Sequence, residues 1–97
     1  MTPEHTARIT WSDEQVRHGL PDVTQTIDPS WLESDPEGAD GWSLVCRFEE
    51  PPRQQGNPSI ARVRFLVDTA PHVLRPGTCL RLFERWTTRY AKVEIID

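Results

Sequence analysis

The sequence predicts an all-β fold, a small closed or partly open antiparallel barrel of about six strands with one short helical turn near the N-terminus. Apolar residues recur at every second position in several short runs, prolines and glycines separate those runs, and no long stretch keeps the period of a helix. With 97 residues the chain fits a single domain, 1–97. Its mean hydropathy of −0.59 leaves few core residues to spare, so large aromatics must carry much of the core.

The chain divides into an acidic, loop-rich first part, 1–41, and a strand-rich second part, 42–97. In the first part Ala7 to Trp11 alternates as a strand does. Ser12-Asp13-Glu14-Gln15 then has the form of a capping box, with Ser12 as N-cap and Gln15 reaching back, so a helical turn is expected up to His18, ended by Gly19. Val23 to Ile27 is a further short strand. From Asp28 to Gly41 prolines, glycines and acids predict a surface loop pinned by Trp31.

The clearest strand is Trp42 to Glu49, with Trp42, Leu44, Cys46 and Phe48 on one face. Glu50 to Ser59 reads as a long loop, neither helix nor central strand, because it combines three prolines with a glycine. Ile60 to Val67 sets Ala61, Val63, Phe65 and Val67 opposite Arg62 and Arg64. Arg75-Pro76-Gly77-Thr78 has the proline and glycine placement of a type II turn. Cys79 to Glu84 buries Leu80 and Leu82 and turns Arg81 outward. Arg85-Trp86-Thr87 forms a hairpin tip, and Thr88 to Ile96 puts Ala91, Val93 and Ile95 inside, with Tyr90, Lys92, Glu94 and Ile96 outside.

The net charge of −4 hides an asymmetry: residues 1–44 carry nine acids against two arginines, and residues 45–97 carry nine bases against six acids. Two readings follow, a basic surface for an acidic partner or two halves that neutralise one another. No run is apolar and long enough for a membrane span, and the first residues lack the form of a leader, so a cytoplasmic protein with no membrane partner is expected. Cys46 and Cys79 lack metal-site spacing and are expected to be reduced thiols.

Catalysis needs a nucleophile, a base within reach and a group to orient it. His5, His18 and His72 stand apart, without a recognisable motif around them, and a Cys79–His72 dyad is disfavoured against an inert pair. The adjacent carboxylates Asp13-Glu14 and Glu49-Glu50 read as solvated charges. Asp35 to Gly41 lacks the ligand spacing of a calcium loop. The expectation is a protein that is not an enzyme and takes no cofactor or metal.

The order of features from Ser43 to Ile96, namely a strand, a Pro/Gly-rich loop, the Arg62-x-Arg64-Phe65 strand, the Leu74-x-Pro76-Gly77 turn, a strand ending in Glu84, and then Thr88, Ala91 and Val93, resembles the C-terminal β-barrel domain of elongation factor Tu and small stand-alone bacterial proteins of that barrel type. The resemblance covers about the last 55 residues of the chain. It implies a barrel fold and, as one function, RNA- or translation-associated binding. The glycines of that family's hairpin are replaced here, Tyr90 and Lys92 standing among them, so its transfer-RNA residues do not carry over. Net negative charge also disfavours a nucleic-acid partner.

The expected function is therefore a non-enzymatic protein-binding or regulatory module that docks a protein partner through the C-terminal hairpin. The candidate partner-binding residues are Arg81, Arg85, Trp86 and Arg89, since arginine and tryptophan are enriched at binding hot spots. The competing reading has Trp86 folding back to close the barrel under a cover of arginines.

Overall fold

The computed structural model describes residues 3–36, 38–84 and 88–97, with backbone alone for Glu84, Thr88 and Arg89. Six strands, β1 (His5–Trp11), β2 (Gln25–Leu32), β3 (Trp42–Arg47), β4 (Ser59–Phe65), β5 (Cys79–Glu84) and β6 (Thr88–Ile95), close into an antiparallel barrel in the order β1-β4-β3-β2-β5-β6. Two short helices, α1 (Asp13–His18) and α2 (Pro52–Gln55), lie in the connections. The all-β barrel expected from alternation is the one observed.

Alternation sets the barrel wall because successive side chains on a strand point to opposite faces. Ala7, Ile9 and Trp11 face inward from β1, Ala61, Val63 and Phe65 from β4, and Ala91, Val93 and Ile95 from β6, all buried. Ala7 sits opposite Ala61 in register, so two small residues meet across that ladder. Leu44, Cys46, Leu80 and Leu82 complete the interior.

One end of the barrel is closed by aromatics. The Trp11 ring lies 5.6 Å from Tyr90 and 6.4 Å from Phe48. Its indole N–H donates to the Ser59 hydroxyl at 2.9 Å, which donates to the Gly56 carbonyl at 2.7 Å. The Asn57 amide, next to a cis Asn57–Pro58 bond, accepts from the Trp11 N–H at 2.8 Å and donates to its C=O at 3.2 Å. A side chain thereby takes the place of a strand partner where β4 has ended, so no backbone group of Trp11 is left dry.

Several elements differ from the sequence reading; β2 starts at Gln25 and not at Val23, and β3 ends at Arg47 and not at Glu49. Tyr90 is buried, although alternation places it opposite Ala91, because the β5–β6 register shifts between Leu82 and Phe83 and turns both residues toward the interior. The loop expected from Asp28 begins only at Glu33, since β2 continues through Pro29 to Leu32. Proline is tolerated there because its partner Ser43 turns its carbonyl toward Leu66 instead, and pairing of β2 with β5 starts only at Ser30. Trp31, in β2, still anchors the segment that follows: its indole donates to the Ala39 carbonyl at 2.7 Å and packs edge-on against Phe83. Gly41 is required beneath it, where a Cβ would come within 2.5 Å of the ring.

The expected loop 50–59 contains the single turn α2, started by Pro52 in the first helical position, where a missing N–H costs nothing. Val67 lies beyond the end of β4 and is exposed. Around α1, Ser12 accepts from the Gln15 N–H as expected, but the Gln15 side chain reaches forward to the Gly19 carbonyl instead of back. The Arg75–Thr78 turn forms as read, with Gly77 at φ 92° and Thr78 N–H donating to Arg75 O at 2.9 Å.

Inward and outward positions on β4 should respond differently to truncation. Phe65→Ala is expected to cost about 3–5 kcal/mol of unfolding free energy. Arg62→Ala, exposed on the same strand, should change it by no more than about 0.5 kcal/mol. Urea denaturation of the two variants checks this, and equal losses would contradict the inward-outward assignment of β4.

Candidate functional site

The four hairpin candidates do not share one environment. Arg81 points outward from β5 but bends toward the β2 turn, where its guanidinium donates to the carbonyls of Leu32 at 3.1 Å and Asp35 at 3.3 Å. That guanidinium is occupied in holding the segment after β2. Arg89 stands opposite Phe83 in the β6 ladder. Arg85 and Trp86, between β5 and β6, lie outside the described residues.

A second group of arginines is assembled by strand order on the opposite side of the barrel. β3 and β4 pair so that Arg47 faces Arg62 directly, and Val45 faces Arg64. Like charges directly opposite across a ladder oppose folding. The structure offsets this with Glu4, which lies just before β1 and binds Arg47 through both carboxylate oxygens; Nε donates at 2.6 Å and Nη2 makes a second, shorter bond. A bidentate pair of this kind is the strong form of an arginine–carboxylate contact. Hydrogen bonding from Arg47, with the positive charges of Arg47, Arg62 and Arg64 behind it, holds the Glu4 carboxyl below its ordinary range. Glu4 raises the Arg47 guanidinium in turn.

Neither Arg62 nor Arg64 makes an ion pair among the described residues; Arg64 donates to the Phe65 carbonyl at 3.3 Å and Arg62 is exposed. Three arginines therefore surround one carboxylate. Ile27, 50% exposed on β2, pairs with Val45, and Ile60, 44% exposed on β4 two residues before Arg62, lines a hollow with Glu49, Glu50 and Gln55. Val45 is buried between Ile27 and Arg64 although it faces outward.

The end of the barrel away from Trp11 holds an open hollow of about 250 Å³ lined by Pro3, Phe65, Val67, Leu74 and two imidazoles, His5 and His72. His5 Nδ1 lies 3.2 Å from the Asp97 carbonyl, and His72 Nε2 is 4.0 Å from the Asp35 carboxylate. Cys79 contacts the Gly77 carbonyl at 3.6 Å, so His72 and Cys79 have different partners. Among the described residues no three histidines, cysteines or carboxylates gather as metal ligands, and no helix is long and apolar enough to cross a membrane. No family model, curated protein or solved structure matches the chain.

The arginine cluster escaped sequence reading because the outward positions of Arg62 and Arg64 follow from alternation within β4, whereas their neighbour Arg47 follows only from the β3–β4 register. Glu4 carried no signal of its own near the chain start.

Two expected outcomes follow. Burial, with the Asp28 charge adding to it and the Thr26 hydroxyl opposing, pushes the Cys46 thiol up to about 12. A thiol reagent should therefore label the less buried Cys79 in the folded protein and reach Cys46 only on unfolding, as mass spectrometry of the labelled peptides would show. For Glu4, a folded-state pKa below the unfolded value means stabilisation that is complete above the unfolded value and lost as pH falls through the folded one. The stability difference between the native chain and Glu4→Gln should thus be widest near neutrality and close in acid. A difference that stayed constant on acidification would remove this ion pair from the account.

Proposed function

We propose that the protein is a non-enzymatic, cytoplasmic protein-binding module that recognises its partner with side chains on the outer face of the barrel. The observation that carries this is the Arg47–Arg62 pair: two exposed arginines face each other across a ladder, with Arg64 beside them. The fold does not need such an arrangement, and conflicts with local rules of this kind concentrate at functional sites. A closed barrel also supports the choice of surface, since every strand has neighbours on both sides and a partner cannot add a strand to an edge.

A second reading, RNA binding in line with the kinship to the elongation-factor barrel proposed from residues 43–96, is favoured by the same three arginines. Against it stands the net charge of −4, which weakens attraction of a polyanion. The hairpin residues Arg85 and Trp86 are kept in the proposal as a separate contact, because β5–β6 lies across the barrel from β3–β4.

Photo-crosslinking in a native lysate separates these readings. A benzophenone side chain at position 62 should give a discrete protein adduct that Arg64→Glu abolishes, and the same group at position 85 reports on the hairpin. An adduct lost on ribonuclease treatment would favour the RNA reading. Absence of any discrete adduct at both positions would overturn the binding-module proposal.

A further inference from the structure

We propose that Arg47, Arg62 and Arg64 form a carboxylate-binding site for an extended acidic segment of a partner protein, and that Glu4 of the chain itself occupies this site until the partner displaces it. The proposal rests on the protein-binding reading above and names the chemistry of the partner.

Charge and geometry agree on the occupant. The bidentate grip on Glu4 shows that Arg47 takes a carboxylate through two N–H groups. One carboxylate among three arginines leaves two positive charges without an ion pair among the described residues. Outward residues on one strand repeat at about 6.6–7 Å, the same repeat as alternate side chains of an extended peptide, so acids two apart in a partner can reach Arg62 and Arg64 together. Ile27, half exposed and separated from Arg64 only by Val45, suits an aliphatic residue between those acids, whereas Ile60 lines a hollow with Glu49 and Glu50 that limits the acidic segment on that side. A phosphodiester backbone has no group to place on Ile27.

Glu4 is suited to leave. It lies before β1, whose pairing with β4 begins at His5, so its release breaks no register pair of the barrel. The Arg47 side chain is about half exposed while Glu4 is 22% exposed, which leaves the guanidinium open to an incoming group. Binding then exchanges one carboxylate for another at Arg47 and adds new pairs at Arg62 and Arg64. The partner's affinity is reduced by the competition of Glu4, a built-in threshold against isolated acidic side chains.

The test uses the purified chain and a fluorescein-labelled decapeptide alternating Glu and Val, followed by anisotropy at low and high salt, with a single-stranded RNA as a competing probe. Peptide binding should weaken with salt, tighten by about fivefold in Glu4→Gln, and weaken by about fivefold in each of Arg62→Ala and Arg64→Ala. Thermal melts of each variant confirm that the barrel is intact. Peptide affinity that ignores all three substitutions in folded protein would overturn the proposal, as would RNA that displaces the peptide and tightens likewise in Glu4→Gln. A protein adduct at position 62 combined with such an indifferent peptide would leave the binding-module reading standing and sink this assignment alone.

Discussion

β1 pairs with β4 along one side and with β6 along the other, and this double pairing joins the first strand of the chain to the last. Ala7 alone has Ala61 and Ile95 as its two neighbours. Backbone groups that an open sheet would present at its edges are used up in the seam, so the wall offers another chain no strand edge to extend. The same closure determines which side chains stand together outside. Arg47 and Arg62 are 15 residues apart in sequence and adjacent only because β4 is inserted between β1 and β3.

Closure of the wall requires both ends to be stopped, and the two ends solve this differently. At the Trp11 end three aromatic rings fill the mouth, with polar atoms of Ser59 and Asn57 satisfying the indole and the strand terminus. The β5–β6 irregularity serves this end, because only a shifted register lets Tyr90 join Trp11. At the other end Leu74 is the buried plug on the long connection from β4 to β5, and the hollow beside it is left open.

Much of the wall was legible in the sequence. β4, β5 and β6 bury one face and wet the other, so alternation located them to within a residue or two. The Ser12 cap and the Pro76-Gly77 turn are local devices, and local residues encode them. What escaped depends on neighbours distant in sequence: Pro29 is acceptable in β2 only because Ser43 turns its backbone away, and Tyr90 is buried only through the shift against β5. The hairpin candidates were read from composition, which registers arginine and tryptophan but not that Arg81 is engaged by two backbone carbonyls. Glu4 acquires meaning only when three arginines from two other strands are brought to it.

β2 differs from the other five staves in what it sends inward. The register places Thr26 opposite Cys46, Asp28 opposite Leu44, and Ser30 opposite both Trp42 and Leu82, so β2 sets a line of polar groups among the largely apolar core residues of its neighbours. Ser30 settles its hydroxyl on the Trp42 carbonyl at 2.7 Å. Such a stave contributes little hydrophobic adhesion for the length of backbone it orders, and its pairing with β5 spans only Ser30 to Leu32. The β2–β5 join is accordingly the shortest seam of the barrel, three register pairs against four to six at each of the other five among the described residues.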